Sequence, residues 1–136
     1  MVSEMLVPPI CGESVDLKFD DKTMVVGCGE IGQGIQIWDL RKIAKVQTID
    51  WTLNAKNERN PMITYCQFNK AGADMIMACA THDNPAKAIN FSMSRPENHI
   101  IQDIKGTCFC ADQSPDGSMV AFGDTEGYVT VKNLLF

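Results

Sequence analysis

Apolar and polar residues alternate with a period of two along most of the chain, and almost nowhere with the 3.6-residue period of an amphipathic helix. Val15-Asp16-Leu17-Lys18-Phe19, Ile35-Gln36-Ile37 and Val129-Thr130-Val131 are the clearest runs, and each predicts a short, half-buried strand. Four candidates follow one another at 14–19, 23–27, 35–40 and 45–49. Four more stand at 63–69, 75–80, 88–93 and 99–104, and a last set at 107–112, 119–123 and 128–134. The short stretches between them are rich in Asp, Lys or Gly, which suit turns. Ser114-Pro115-Asp116-Gly117 is the strongest, because proline presets φ and glycine tolerates positive φ. No long stretch carries a helical pattern with caps, so the chain reads as all-β.

The three sets repeat one logic: a half-buried strand, a polar turn, an apolar strand of small residues, a second turn, then an alternating strand. With Phe19, Phe68 and Gln113 aligned as the ends of first strands, the units lie 49 and 45 residues apart. With Ile37, Phe91 and Val131 aligned in third strands, they lie 54 and 40 residues apart. These spacings sit near the roughly 40–45 residues of a four-stranded β-propeller blade, with loop insertions supplying the excess. The chain then divides into one propeller segment, 1–136, with blades at 10–51, 61–104 and 106–136, the last lacking its outer strand. Residues 1–9 offer an outer strand to a preceding or a partner blade, and Pro8 and Pro9 suit an edge, where a missing N–H does no harm. The expected core is Val15, Leu17, Phe19, Val25, Ile35, Ile37, Phe68, Met75, Met77, Phe91, Phe109, Val120, Phe122, Val129 and Val131.

Gly34-Ile35-Gln36-Ile37-Trp38-Asp39-Leu40 resembles the strand that closes a WD40 repeat with its Trp-Asp dipeptide. Ser114 to Gly123 looks like the turn and second strand of such a repeat, and Asp124 to Asn133 like its continuation. The stretch from Ile10 to Asp16, followed by Ile35 to Asp39, is also similar to WD40 proteins common in flagellated and ciliated protists. The resemblance implies three propeller blades with a non-enzymatic role, a scaffold presenting loops to a protein or peptide. The protist likeness adds a cilium or axoneme as one setting. The departures are specific. The family's Gly-His dipeptide is missing from all three units, and Trp-Asp occurs once, its counterparts being Ser92-Met93 and Lys132-Asn133. The His–Ser/Thr–Trp hydrogen-bond network of many blades is therefore in doubt. Since closed propellers have four to eight blades, three leave apolar end faces that need cover. The cover is either the rest of a longer propeller or a second copy completing a six-bladed ring.

At 136 residues, the length is that of one domain or part of one. Twelve basic against seventeen acidic residues give a net charge of −5, which leaves no electrostatic footprint for nucleic acid. No apolar run approaches the ~20 residues of a membrane span, and the N-terminal stretch lacks the basic start of a signal peptide. A cytoplasmic, reducing setting is therefore expected, with Cys11, Cys28, Cys66, Cys79, Cys108 and Cys110 as packed free thiols.

Several motifs offer chemistry. Gly27-Cys28-Gly29-Glu30-Ile31-Gly32 has the G-x-G-x-x-G form, and the competing reading is a dinucleotide-binding enzyme fragment using Gly27, Gly29 and Gly32. The alternating, β-branched residues that follow make a poor first helical turn, so a hairpin loop is preferred. Cys108 and Cys110, two apart on one strand, are expected on the same face, and only His82 and His99 stand available as metal partners. His82 beside Asp83 reads as a loop pair without a nucleophile, and the sequon Asn90-Phe91-Ser92 falls within a strand. No catalytic residue, cofactor or metal is assigned. The unusual segment is the long connection 51–61, which carries Trp51, Lys56 and Arg59, types suited to partner contacts. With Glu30, His82, Asp83, Asp124 and Glu126 it would share one propeller face with a mixed to acidic rim.

Overall fold

A computed structural model describes residues 4–30, 34–51, 61–81, 85–92, 97–101 and 104–134, with backbone alone at 97–100. These form three antiparallel sheets in chain order. The first is β1 (Val15–Leu17), β2 (Thr23–Gly27), β3 (Ile35–Asp39) and β4 (Ala44–Ile49), each paired with the next. The second is β5 (Ile63–Phe68), β6 (Met75–Ala80), β7 (Ala86–Asn90) and β8 (Glu97–Ile100). The third is β9 (Cys108–Gln113), β10 (Met119–Asp124) and β11 (Val129–Asn133), with β11 at its open edge. No helix among the described residues is long and apolar enough to cross a membrane. Residues 4–7 form no strand, and Leu6 stands exposed.

The hairpins fix how the units correspond. Lys18, Asn69 and Ser114 donate their backbone N–H to Thr23, Met75 and Met119 at 2.8, 2.8 and 2.9 Å. Leu40, Phe91 and Leu134 donate to Lys22, Asp74 and Ser118 at 2.8, 3.1 and 2.7 Å. Leu17, Phe68 and Gln113 are therefore equivalent, as are Ile37, Ala88 and Val131. This corrects two alignments made from sequence: Phe19 lies two residues past the matching position, and Phe91 matches Leu40, not Ile37. The repeat becomes more even, 51 and 45 residues by first strands and 51 and 43 by third strands. The counterparts of Trp38-Asp39 become Ile89-Asn90 and Lys132-Asn133. Asn90 ends β7 because its side-chain oxygen accepts the Ser92 N–H and hydroxyl at 3.1 and 2.8 Å, which turns the chain out of the ladder.

The middle sheet is covered on both faces. Val25, Ile35, Ile37 and Ile49 of the first sheet pack on Cys66, Phe68, Ile76, Ala78 and Ile89 of the second. From its other face, Tyr65, Met75, Met77 and Cys79 meet Cys108, Val120 and Phe122 of the third. β6 is buried at all six of its positions. Each large aliphatic or aromatic side chain so buried contributes roughly 1.5–3 kcal/mol. Polar joints fix the stacking. The Asp16 carboxylate accepts the Phe68 N–H, and the Glu13 carbonyl accepts the Cys66 N–H at 3.1 Å. Gln113 donates to the Phe68 carbonyl at 2.8 Å and accepts the Lys70 N–H at 3.1 Å.

Six residues assigned to the core from sequence are exposed: Val15, Leu17, Phe19, Phe109, Val129 and Val131. Phe19 stands in the turn after β1, and the other five lie on the first or third sheet. Val15, Leu17, Val129 and Val131 hold positions that are buried in the middle sheet, so their exposure reflects a missing neighbour rather than a wrong strand.

Candidate interaction surfaces

Because the strands alternate in direction, the connections gather at two ends. At one end lie the turns after the first strand of each unit, stiffened by carboxylates. Asp20 accepts the Lys22 and Thr23 N–H groups at 2.9 and 3.1 Å, and the Lys22 amide is the main cause holding its carboxyl below the ordinary range. Asp116 accepts the Ser114 and Ser118 hydroxyls and the Ser118 N–H, and these bonds, the Ser114 hydroxyl first, bring its pKa to about 2. Gly117 closes this turn at φ +73°, where a Cβ would stand 2.4 Å from the Ala71 nitrogen. A recess of about 380 Å³ opens between these turns, lined by Lys18, Phe19, Lys70 and Pro115 among others. Its lysines are engaged: Lys18 pairs with Asp74, and Lys70 lies 3.6 Å from Asp112.

The other end gathers the β2–β3 and β10–β11 loops and the connections between sheets. Glu30 and Glu126 are exposed there, as are Asp50 and Lys105. Asp124 is only partly exposed and is committed to its own turn, accepting the Glu126, Tyr128 and Lys105 N–H groups at 2.9, 3.1 and 3.2 Å. Desolvation pulls its carboxyl upward, but the backbone donors together hold it below the ordinary value. Trp51 does not join this surface. It is buried against Ile49 and Ile63 in the first intersheet core, with the Lys87 ammonium 4.5 Å from its ring centre and bonded to its carbonyl. Its expected role as an exposed contact is thus corrected: the chain turns the indole inward as it leaves β4. Lys56, Arg59, His82 and Asp83 lie outside the described residues.

The glycine-rich motif is a hairpin loop. The Cys28 N–H donates to the Gly34 carbonyl at 2.9 Å, and the chain enters β3 at Ile35, where a phosphate-binding turn needs the start of a helix. Gly27 is there for packing, since a Cβ would stand 2.4 Å from a methyl carbon of Ile63. Gly29 approaches Cys11 in the same way, and Gly32 lies outside the described residues. The dinucleotide reading is overturned. Cys108 and Cys110 also depart from expectation. A bulge opposite Gly123 and Asp124 turns Cys108 inward, its sulfur 2.9 Å from that of Cys79, and leaves Cys110 exposed. Trp38 bonds Gln36 on its own strand at 3.0 Å, in place of a cross-strand His–Ser/Thr network.

Two features escaped the sequence reading. One is Asp16, whose repeat at Asp112 was the available signal: a carboxylate at the same register in two units. The other is the exposure at the two flanks, of Val15 and Leu17 on the first sheet and of Val129 and Val131 on the third. Leu17 is 58% exposed where its equivalent Phe68 is 5% exposed. Val131 is 60% exposed where Ile37 and Ala88 are 3% and 0%.

No family model and no curated protein matches the chain. Solved structures do. It covers 36% of a chain in the crystal structure of the mitotic checkpoint complex with 89% of its own length, at TM-score 0.73 and 15% identity. It covers 38% of the Cps50 (Swd1) β-propeller domain of Myceliophteria thermophila with 88% of its length, at TM-score 0.70 and 11% identity. It covers 25% of dihydro-heme d1 dehydrogenase NirN, solved in complex with DHE, with 88% of its length, at TM-score 0.65 and 14% identity. The chain thus spans well under half the length of each of these three structures. At such identities the likeness is one of fold, and a fold shared with both a checkpoint assembly and a dehydrogenase leaves function to the residues.

Proposed function

From the premise that the chain has the fold of a partial WD40-type β-propeller, its three sheets standing as consecutive blades, we propose that it is a non-enzymatic scaffold presenting loops to a protein or peptide. The observation that carries this reading is the acidic end surface, where Glu30, Asp50 and Glu126 are exposed beside a single described lysine, Lys105. Asp124 holds the turn that displays Glu126, so little ordering entropy is lost when a partner docks. Among the described residues the rim is acidic and pre-organised, and on a chain of net charge −5 this favours a basic peptide.

The test is an array of basic, neutral and acidic peptides probed with the 136-residue chain. Retention is expected among basic peptides and should weaken as salt rises. Glu30→Lys with Glu126→Lys should lower affinity at least about tenfold at low ionic strength. Retention indifferent to peptide charge would overturn the reading.

A further inference from the structure

We infer that Cys79 and Cys108 are a dithiol that a hydroperoxide closes into a disulfide, stapling the middle blade to the third. The staple is independent of which partner the loops take. Cys79 stands on β6 and Cys108 opens β9; both are buried, and their sulfurs lie 2.9 Å apart. A disulfide holds its sulfurs at about 2.05 Å, so closing the bond needs an approach of about 0.9 Å. A metal shared by the two thiolates would need the opposite movement. With zinc about 2.3 Å from each sulfur, a tetrahedral site keeps the two about 3.8 Å apart.

The repeat register explains why these two side chains meet. Since Phe68 and Gln113 are equivalent, Ile63 is the counterpart of Cys108: on the far side of the same bulge, Ile63 pairs with Ala80 and Cys108 with Asp124. Since Thr23 and Met75 are equivalent, Gly27 is the counterpart of Cys79. The first seam brings Gly27 so close to Ile63 that a Cβ on the glycine would stand 2.4 Å from an Ile63 methyl carbon. The second seam brings the same two positions together and fills both with thiols. The backbone around them is held across that seam. The Thr64 hydroxyl donates to the Cys108 carbonyl at 2.6 Å, and the Thr107 hydroxyl donates to the Thr81 carbonyl at 3.2 Å.

The two thiols take different parts. Cys108 begins an edge strand, so local opening exposes it before β6, which is buried at all six of its positions. Burial keeps the proton on Cys79, and the hydrogen bond from that thiol holds the pKa of Cys108 below the ordinary thiol value. The Cys108 thiolate attacks an oxygen of hydrogen peroxide. The O–O bond breaks, leaving a sulfenic acid on Cys108 and a hydroxide that takes up a proton as water. The Cys79 sulfur then displaces hydroxide from the sulfenic sulfur, and its own proton leaves with that hydroxide as a second water. Two thiols are oxidised to one disulfide, and one peroxide is reduced to two waters.

The experiment treats the 136-residue chain with hydrogen peroxide and maps its tryptic peptides without reduction. Cys11→Ser and Cys110→Ser remove the two thiols that are not buried. Each remaining cysteine then falls on its own peptide, with Lys87 and Lys105 as cleavage sites between Cys79 and Cys108. The Cys79 and Cys108 peptides should be found linked, and separate after dithiothreitol. The midpoint of thermal unfolding should rise by at least about 5 °C on oxidation and return on reduction. Adding Cys79→Ala should abolish the rise and leave a Cys108 sulfenic acid that dimedone traps. Circular dichroism confirms that the blades persist, and the map of the Cys79-bearing chain decides the link whether or not Cys79→Ala folds. Free Cys79 and Cys108 at peroxide levels that oxidise Cys110 of the unmodified chain would overturn the staple. So would a link to Cys28 or Cys66 in its place, or a link that leaves the melting midpoint unchanged.

Discussion

The Asp16 carboxylate accepts a 2.9 Å hydrogen bond from the Phe68 backbone N–H, tying the first strand of one blade to the first strand of the next. Bonds to a charged acceptor are worth roughly 1.5–3 kcal/mol. Asp16→Ala should lose about that much, because it leaves the part-buried amide without its acceptor. Asp16→Asn keeps an oxygen in place and should lose less. Urea unfolding measures both, and the midpoint should fall at unchanged slope. Equal losses in the two variants would mean that a neutral oxygen cannot stand in for the carboxylate, and an Asp16→Asn chain as stable as the unmodified one would remove the charge from the explanation.

Trp51 fills the same seam from above, under the Lys87 ammonium. Trp51→Ala should destabilise by about 3–5 kcal/mol, the range for a buried aromatic cut to alanine. In a Trp38→Phe background its fluorescence should be blue-shifted when folded and move to the red on unfolding. A folded-state spectrum already at the solvent-exposed wavelength would place the indole outside.

Phe122 and Val131 lie on neighbouring strands but on opposite faces of the third blade. Phe122 is fully buried against the middle blade and Val131 is open. Phe122→Asp should abolish the cooperative thermal transition, because it strands a carboxylate in the core without a partner. Val131→Asp should preserve the far-ultraviolet spectrum. Similar damage from both would mean that the third blade is packed the other way round.

Asp116 carries a pH dependence. Its pKa of about 2 in the folded chain, set first by the Ser114 hydroxyl, lies below the ordinary carboxylate value of 3.8. A depressed folded pKa contributes stability that is fully present above the unfolded value and is lost as pH falls toward the folded one. Asp116→Ala should therefore lower the melting temperature at neutral pH, and the gap from the unmodified chain should close between about pH 4 and pH 2. A gap constant across that window would assign the effect to the turn's backbone alone.

Strand identity was legible wherever alternation was clean. Thr23–Gly27 and Met75–Ala80 were read with their observed bounds. Register was harder, because Phe19 and Phe91 sit just past strand ends and draw an alignment toward the largest apolar residue. The hairpin bonds place the smaller Leu17 and Ala88 there instead. Trp51 was misread because a polar stretch follows it, and nothing local says that the indole turns back under Lys87. Cys110 was misread because a bulge depends on the partner strand, which strand spacing alone does not encode. On the candidate surface, Glu30 and Glu126 are exposed, and their part in binding is a proposal. Asp124 was seen as a contact though its oxygens serve its own turn.

The middle blade has the consequence of a keystone. With β6 shielded along its whole length, deuterium should enter its amides only through global opening, whereas β1 and β11, each lining an uncovered flank, exchange through local fraying. The molecule therefore comes apart from the outside inward, and whatever caps its flanks sets its lifetime.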